Sequence, residues 1–313
     1  MTENCEEKHP DPRPPLVVVC GPTASGKTAL ALQMAESFDI EIISADSRQV
    51  YRGMDIGTAK ASAAEQARVP HHLIDVVEPD QSFTVSDFVD RARRADREIR
   101  QRGRLPVVVG GTGLYIQAFV SGLADLPPAD HSVRQRLNEY GDRHGDAALH
   151  ALLGERDPEQ AARIHPRNRV RVVRALEVFE LSGMPISQWQ RQHAFAERPF
   201  RVKTIGLSPP RAELFSRIDR RVDAMMEEGL EDEVRRLLAR GCSIDLKAMK
   251  TLGYREMIHY IQGRISHMEA VELIKRDTRR YARRQLTWFR RDETINWFES
   301  LEEFAKLEVL FEI

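Results

Sequence analysis

Residues 16–28, LVVVCGPTASGKT, decide the fold of this 313-residue chain. The five apolar residues from Leu16 to Cys20 are typical of a short strand that is buried on both faces. The next eight residues fit the pattern G-x-x-x-x-G-K-[ST], and a helix-forming stretch, KTALALQMAES, starts at Lys27. A strand, a glycine-rich loop and a helix in this order predict a phosphate-binding loop at one edge of a parallel sheet.

This loop is suited to hold a polyphosphate or a pyrophosphate. Its glycines let the backbone curl so that successive N–H groups point at one anion, and the helix N-terminus adds partial positive charge. Lys27 adds a full positive charge, and the Thr28 hydroxyl is suited to bind Mg²⁺. The candidate diphosphate-binding residues are Gly21, Pro22, Thr23, Ala24, Ser25, Gly26, Lys27 and Thr28.

Three more stretches predict buried strands: residues 40–45 (IEIISA), 106–110 (PVVVG) and 202–208 (VKTIGLS). An amphipathic helix lies between residues 45 and 106, and Thr84 and Asp87 form a capping-box pattern at its start. Strands that alternate with helices predict an α/β fold, namely a P-loop NTPase-like core whose parallel sheet is covered by helices.

The domain organisation follows from where the strand signal stops. Residues 126–199 show helical periodicity without a convincing strand, so we expect an inserted all-helical subdomain between core segments 16–125 and 200–313. Residues 1–15 contain four prolines and predict a flexible leader. Ser266 and Glu269 form a capping pattern for a last long helix through Arg291.

The composition excludes several classes of protein. With 42% hydrophobic and 30% charged residues, the chain has enough apolar material for a buried core, so it is not a disordered protein. No apolar run approaches the ~20 residues that a membrane helix needs, and the N-terminus lacks a signal-peptide core. The three cysteines have no C-x-x-C spacing, which argues against a disulfide framework or a zinc site. We therefore expect a cytoplasmic protein that has no membrane partner.

The net charge of −1 conceals two arginine-rich segments. Residues 274–291 have eight Lys or Arg against one acid, and the tail that follows is acidic. Residues 163–174 have five arginines and no acid. Such segments favour a polyanionic partner, although solvated, arginine-rich helix faces are an alternative explanation.

Asp46 is the candidate acid near the loop. Ordinary P-loop enzymes place an acid at the end of a buried strand to hold the metal, but the strand at residues 106–110 ends in glycine. Asp46 instead follows the IEIISA strand. Because ligands of open α/β sheets bind at the carboxyl ends of strands, we expect Asp46 to face the same crevice as the loop. The alternative is that Asp46 only caps a helix.

Seven segments between residues 16 and 291 together resemble the tRNA dimethylallyltransferases. They are GPTASGKT (21–28), SADSRQVYRGMDIGTAK (44–60), PHHLIDV (70–76), VVVGGTGLYI (107–116), RALEV (174–178), TLGYRE (251–256) and RRQLTWFR (283–290). The resemblance implies an enzyme that transfers a dimethylallyl group from dimethylallyl diphosphate to N6 of the adenosine immediately 3′ of the tRNA anticodon, with Mg²⁺. The loop would hold a pyrophosphate leaving group, and no γ-phosphate would be transferred.

The resemblance also implies three catalytic residues. Thr23 would contact the oxygen that links the prenyl group to the diphosphate, Arg221 would reach the pyrophosphate, and Asp46 would take the proton from N6. These roles suit the chemistry, since cleavage of an allylic C–O bond builds negative charge on pyrophosphate and a positioned carboxylate assists a weakly nucleophilic amine. ATP would bind weakly through its phosphates without turnover.

Further residues are implied to contact RNA, in which an extruded base is the usual target for chemistry. At the target base they are Asp46, Ser47, Arg48, Gln49 and Thr112, and at the anticodon stem-loop, which the helical insertion would bind, they are Arg134, Arg167, Asn168 and Arg171. Other features have simpler explanations. The glycine pair at 110–111 is typical of a strand-to-helix turn, and Trp288 and Phe289 are expected to pack in a core. The histidines at 71–72 lack a third ligand and are interpreted as structural or hydrogen-bonding residues.

Two residues depart from the family pattern. Ala61 stands where members usually have proline, which affects only loop stiffness, and Asn168 stands where they usually have aspartate, which puts any contact of that carboxylate in doubt. No Cys/His module follows residue 291, so a bacterial-type enzyme is implied.

Three other functions remain open at this point. An adenylate isopentenyltransferase would share the loop and the acid but would prenylate AMP, and a P-loop small-molecule kinase would transfer phosphate instead. An RNA-binding NTPase-like protein without catalysis is the third. The helical insertion and the two arginine runs favour tRNA as the substrate, and we expect a monomer.

Overall fold

The computed structural model describes residues 11–193 and 197–305. The chain divides into two compact units, one formed by Met1–Val120 with Arg198–Ile313 and the other by Ser121–Glu197. Residues 1–10 of the predicted leader lie outside the described residues. The first strand begins at Pro15, one residue before the predicted start, and a proline is tolerated at the first position of a strand.

The larger unit contains a parallel sheet with the strand order β3-β2-β4-β1-β5-β6. Its strands are β1 (Pro15–Cys20), β2 (Ile40–Ser44), β3 (His71–His72), β4 (Leu105–Gly110), β5 (Arg201–Leu207) and β6 (Asn296–Phe298). The predicted parallel α/β sheet is confirmed. The two strands that were not predicted, β3 and β6, have only two and three residues and form the two edges of the sheet.

The first part of the chain adds the helices α1 (Lys27–Met34), α2 (Ala63–Arg68), α3 (Val85–Gln101) and α4 (Gly113–Ser121). The predicted capping box of α3 is present. The Thr84 hydroxyl accepts the Asp87 N–H at 3.2 Å, and the Asp87 carboxylate accepts the Thr84 N–H at 2.8 Å. These bonds satisfy two N–H groups that the helix cannot pair itself.

The smaller unit consists of the helices α5 (His131–His144), α6 (Asp146–Arg156), α7 (Pro158–Arg163), α8 (Arg169–Ser182) and α9 (Ile186–His193). They enclose their own core, in which Leu149, Leu153, Val172 and Leu176 are almost fully buried. Over the described residues of this unit the regular structure is helical, as predicted for the insertion.

The chain then returns to the larger unit through β5 and continues into α10 (Arg211–Glu227), α11 (Leu230–Ala239), α12 (Tyr254–Ile261), α13 (His267–Phe289) and α14 (Leu301–Ala305). The capping box predicted at Ser266 and Glu269 is present at the start of α13. That helix ends at Phe289, two residues before the predicted end.

Both faces of the sheet are covered. Val17 and Val19 of β1 pack with Leu30 and Met34 of α1 in one core cluster, and Val18, which points to the other face, is also fully buried. Since the strands are parallel, their carboxyl ends meet at one edge of the sheet. The pairing of Cys20 with Gly110 ends there, and the phosphate-binding loop, the Asp46 segment and the 110–112 turn all emerge at this edge.

Candidate active site

A cavity of about 740 Å³ opens at the carboxyl edge of the sheet, which is a typical volume for a ligand site. It is lined by residues from the loop, the Asp46 segment, the turn after β4, α10 and α13. The charged side chains in the lining are Lys27, Arg48, Arg221, Lys250, Arg255, Arg280 and Arg284, against Asp46, Glu65 and Asp277. The excess of cationic groups favours an anionic ligand.

The phosphate-binding loop wraps tightly around its own backbone. Gly21 has a φ of +142°, and a Cβ there would lie 2.5 Å from the Leu207 carbonyl oxygen, so only glycine fits. The Ser25 hydroxyl is buried and has no hydrogen-bond partner among the described residues. A buried hydroxyl is usually paired, and a phosphate oxygen in the loop would supply the missing partner.

Lys27 opens α1, and its ammonium donates to the Pro22 carbonyl at 2.7 Å. Burial is the main reason that the pKa of Lys27 is lowered to about 8, and the positive charge of Arg221 lowers it further while Asp46 acts in the opposite direction. Burial therefore disfavours the charged ammonium form of Lys27, and a bound diphosphate would favour it.

Thr23 is held from two sides. Its N–H donates to Gln285 Oε1 at 2.9 Å, and its hydroxyl accepts a hydrogen bond from Arg221 Nη1 at 3.3 Å. Burial lowers the pKa of Arg221, and a neighbouring arginine on α10, Arg217, donates to the Ser25 carbonyl at 3.4 Å. The predicted catalytic pair Thr23 and Arg221 is thus in direct contact at the loop.

Asp46 lines the same cavity, at the end of β2. Its Oδ1 accepts the N–H groups of Arg48 at 2.8 Å and Gln49 at 3.3 Å, so the carboxylate does cap the turn that follows it. Its Oδ2 has no hydrogen-bond partner in the part of the chain that the structure describes. One carboxylate oxygen therefore holds the segment in place, and the other is available to a ligand.

The rest of this segment is fixed by polar contacts. The Ser47 N–H donates to Thr112 Oγ1 at 3.1 Å, and the Thr112 N–H donates to the Ala45 carbonyl at 3.2 Å. Gln49 Nε2 donates to the carbonyls of Thr58 at 3.3 Å and Ala59 at 3.1 Å. Hydrogen bonds thus hold the segment that is predicted at the target base, and Arg48 lines the cavity beside it.

Two family models match the chain over these elements. The model described as IPP transferase matches residues 49–292, and the one described as isopentenyl transferase matches residues 14–75. The chain belongs to the IPP transferase family.

Individual members of the family are similar over nearly the whole chain. A protein named tRNA dimethylallyltransferase 1 from Syntrophotalea carbinolica is 52% identical over 299 residues, which cover 96% of this chain and 95% of the relative. The crystal structure of a tRNA isopentenylpyrophosphate transferase from Bacillus halodurans is 46% identical with a TM-score of 0.67 and covers 90% and 89% of the two chains. A eukaryotic dimethylallyltransferase, described as acting on tRNA, is 25% identical with a TM-score of 0.77 and covers 95% and 76%. The predicted family resemblance is confirmed.

Of the residues in the helical unit of this IPP transferase that are implied to contact RNA, some already form ion pairs within the protein and others do not. The Arg134 guanidinium donates two hydrogen bonds to the carboxylate of the fully buried Glu177, from Nε at 2.8 Å and from Nη2 at 3.0 Å. Arg169 forms ion pairs with Asp142 and Asp146. Arg167, Asn168 and Arg171 are exposed, and the side chains of both arginines lack an ion-pair partner among the described residues.

The arginine-rich segment 274–291 lies mainly on α13, and four of its eight basic residues form ion pairs. On this helix Lys275 pairs with Asp223, Arg279 pairs with Asp219, and both Arg276 and Arg280 pair with Asp277. Asp277 has a lowered pKa because Arg276 donates to its carboxylate. The guanidiniums of Arg280 and Arg284 nevertheless line the cavity, so this run is both a structural network and part of the site.

The simpler interpretations of two other features, the Trp288–Phe289 pair and the histidines at 71–72, hold. Phe289 is buried, and Trp288 packs so closely on Gly113 that no Cβ would fit there. His72 contacts the Glu41 carboxylate at 2.6 Å, and His71 contacts the Val69 carbonyl at 2.7 Å. Among the described residues there is no group of three or more side chains that could hold a metal ion by themselves.

Two polar residues of the site network were not predicted individually. Gln285 and Glu233 are both buried. The Glu233 carboxylate accepts the N–H groups of Asp55, Ile56 and Gly57 at 2.9, 2.9 and 3.1 Å, and thereby holds the 54–60 loop that supports Gln49. The available signal was a polar residue inside an apolar helical stripe, since Gln285 follows Ile274 and Ala282 on α13 and Glu233 lies beside Leu230 and Val234 on α11.

None of the described helices is both long enough and apolar enough to cross a membrane.

Proposed function

We propose that this chain is a tRNA dimethylallyltransferase, which transfers the dimethylallyl group of dimethylallyl diphosphate to N6 of the adenosine immediately 3′ of the anticodon. The observation that carries the proposal is the contact of Arg221 with the Thr23 hydroxyl in the cavity that Asp46 also lines. A leaving-group site and a general base thus share one cavity. The relatives named tRNA dimethylallyltransferase support the same substrate pair.

The loop would stabilise the leaving group. As the bond between the allylic carbon and the diphosphate oxygen breaks, its electron pair goes to pyrophosphate, which gains negative charge. Lys27 and Arg221 place two cationic groups beside that charge, and Arg221 contacts the hydroxyl of Thr23 in the loop. Donors that are already in place when the charge develops supply much of the rate enhancement in such sites.

Asp46 would complete the transfer. The N6 lone pair forms the new C–N bond, and the N6 proton passes to the free carboxylate oxygen of Asp46. The products are N6-dimethylallyladenosine in the RNA, pyrophosphate and a proton. Because Oδ1 is already bonded to the N–H groups of Arg48 and Gln49, the carboxylate keeps one orientation during the reaction.

Mg²⁺ is the metal that the donor set suits. Mg²⁺ is usually bound by one or two protein oxygens together with substrate phosphates rather than by a complete protein cage. The Thr28 hydroxyl lines the cavity at the first turn of α1, and the described residues offer no complete cage. Thr28 would hold the ion, which when bound would neutralise part of the diphosphate charge.

The anticodon stem-loop is the proposed RNA partner. Ser47, Arg48 and Gln49, which line the cavity, and Thr112, which is bonded to Ser47, would surround the target base. The exposed Arg167, Asn168 and Arg171 would contact the backbone of the RNA. An extruded base is read on its Watson–Crick edge, where adenine presents its N6 amine. We propose that the chain acts on tRNA in the cytoplasm as a monomer.

The test uses purified protein, unmodified tRNA, labelled dimethylallyl diphosphate and Mg²⁺, with AMP as a competing acceptor and with ATP in a parallel reaction. Label should reach the tRNA at the adenosine 3′ of the anticodon, without any need for ATP. Lys27→Ala should abolish the transfer, since the loop loses its full positive charge. Label that appears only on AMP, or an absolute requirement for ATP, would overturn the proposal.

A further inference from the structure

Gln285 is buried at 6% exposure in the middle of the site and uses both ends of its side-chain amide. Its Oε1 accepts the Thr23 N–H at 2.9 Å, and its Nε2 donates to the Gly111 carbonyl at 2.9 Å. Thr23 belongs to the loop after β1, whereas Gly111 belongs to the turn after β4. One side chain from α13 therefore joins two loops that leave adjacent strands.

This link begins where the sheet ends. The pairing of β1 with β4 stops at Cys20 and Gly110, so beyond that point no strand hydrogen bonds hold the two loops together. The amide of Gln285 replaces them. Its fit is tight, because a Cβ on Gly111 would overlap Gln285 Nε2.

The same link continues to Asp46. Thr112, next to Gly111, accepts the Ser47 N–H at 3.1 Å and donates its own N–H to the Ala45 carbonyl at 3.2 Å. A continuous path of hydrogen bonds and single peptide units thus runs from Thr23, through Gln285 and the 111–112 turn, to the residues on either side of Asp46.

We infer that Gln285 is a positioning residue for the prenyl transfer: it sets the distance between the loop that holds the leaving group and the carboxylate that receives the N6 proton. The inference rests on the proposed function. In a displacement reaction the attacking nitrogen must reach the allylic carbon at about 3–3.5 Å, and a misplacement of ~1 Å can lower the rate ~100-fold. Gln285 acts through Thr23 and Gly111, so it is expected to affect the chemical step more than the binding of either substrate.

The first variant is Gln285→Met, which keeps the length of the side chain but removes both hydrogen bonds. We expect a ~10- to 100-fold lower rate of prenyl transfer in a single turnover at saturating substrates, with dissociation constants for tRNA and dimethylallyl diphosphate within about threefold of wild type. Gln101→Met is the matched control, since Gln101 is exposed at the end of α3 and touches no part of the site. It should leave the rate unchanged.

A second variant disturbs the hydrogen bond between Gln285 and Gly111 by changing Gly111. Gly111→Ala leaves Gln285 in the sequence but would displace its amide, and the φ of Gly111 is not positive, so alanine is not strained by its own backbone. It should lower the single-turnover rate as Gln285→Met does. The double variant should be no slower than the slower single variant, because both changes break one link.

The outcomes separate this inference from the proposed function. If the wild-type chain transfers no prenyl group to tRNA, the proposed function fails. If wild type is active and folded Gln285→Met or Gly111→Ala matches its single-turnover rate, only the positioning role of Gln285 fails. A defect confined to the dissociation constants would also overturn it, as would rate losses that multiply in the double variant. Circular dichroism and a thermal melt establish that each variant is folded.

Discussion

Arg221 on α10 donates a hydrogen bond to the hydroxyl of Thr23 in the phosphate-binding loop, over 3.3 Å and across 198 residues of sequence. The direction of this bond matters. Because the Thr23 oxygen accepts from the guanidinium, its own hydrogen stays available to donate to a ligand. A hydroxyl in this state can donate to the oxygen that links the prenyl group to the diphosphate, just as that oxygen becomes more negative.

The first prediction concerns this pair. Arg221→Gln removes the positive charge and should lower the single-turnover rate by ~10²–10³-fold, which is the usual loss for one donor to a developing anion. The affinity for tRNA should change little. Arg220→Gln is the matched control, because it removes the same charge one residue earlier from an exposed position on α10. Equal losses in the two variants would show a general effect of charge and would contradict a specific role for Arg221.

The second prediction is the pH dependence of diphosphate binding. In the free loop the pKa of Lys27 is lowered to about 8, mainly by burial and then by Arg221. A bound diphosphate favours the ammonium and raises that pKa, so binding above pH 8 takes up a proton. The affinity should therefore fall as the pH rises from 7 to 9.

Calorimetry in two buffers that differ in ionisation enthalpy measures this uptake directly. At pH 8.5 wild type should take up a fraction of a proton for each dimethylallyl diphosphate bound, and Lys27→Ala should take up none. Proton release by wild type, or equal uptake by both proteins, would show that Lys27 is not the group that titrates.

The third prediction tests the base. Asp46→Asn keeps an oxygen that can accept the N–H groups of Arg48 and Gln49, so the turn should persist. The carboxylate that receives the N6 proton is lost, and the rate of transfer should fall by ~10²–10⁴-fold with little loss of tRNA affinity. Asp80→Asn, at an exposed position outside the cavity, should behave as wild type. Unchanged single-turnover kinetics for Asp46→Asn would exclude Asp46 as the base.

The strands illustrate what the sequence alone could predict. Residues 16–20 and 106–110 are recognisable because a strand buried on both faces is a continuous apolar run. His71–His72 and Asn296–Phe298 are strands only because a neighbouring strand pairs with them. Two or three residues are too few to show a strand pattern in the sequence. The local features of the site were predictable for the same reason as the long strands, since the loop and the Asp46 segment are contiguous in sequence.

The contacts that join these features were not predictable. Gln285 lies 262 residues from Thr23, and Glu233 lies 178 residues from Asp55, so only the folded chain brings them together. Arg134 shows the opposite effect. The family resemblance implies a contact with RNA, but the guanidinium is bidentate to the buried Glu177, which lies 43 residues further along the sequence.

The fourth prediction distinguishes two arginines of one helix. Arg171 is exposed and has no ion-pair partner among the described residues, whereas Arg169 is paired with Asp142 and Asp146. Arg171→Ala should weaken tRNA binding and reduce the slope of log affinity against log salt by about 0.7–0.9, the value for one phosphate contact. Arg169→Ala should instead lower the melting temperature with a nearly wild-type slope. A wild-type slope and affinity for Arg171→Ala would place that arginine outside the RNA interface.

The last prediction concerns Glu233, whose carboxylate is buried at 3% exposure beneath the 54–60 loop. It accepts three backbone N–H groups and, at 2.5 Å, the hydroxyl of Tyr254, whose pKa is raised by burial and by this neighbouring carboxylate. Glu233→Gln replaces one acceptor oxygen with an NH₂ group that faces N–H donors. Leaving such buried donors unpaired should lower the unfolding free energy, measured in urea, by about 1–3 kcal/mol.

The change should also reach the active site, because the carbonyls of Thr58 and Ala59 in this loop accept both hydrogen bonds from Gln49 Nε2. Hydrogen exchange at residues 55–57 should accelerate, and tRNA affinity should fall as the Gln49 amide loses its orientation. Glu231→Gln on the same helix is the matched control: Glu231 pairs with Arg235 at the surface, and its loss should alter stability by less than ~0.5 kcal/mol. If Glu233→Gln were no more destabilising than Glu231→Gln, the carboxylate would not be what holds the loop.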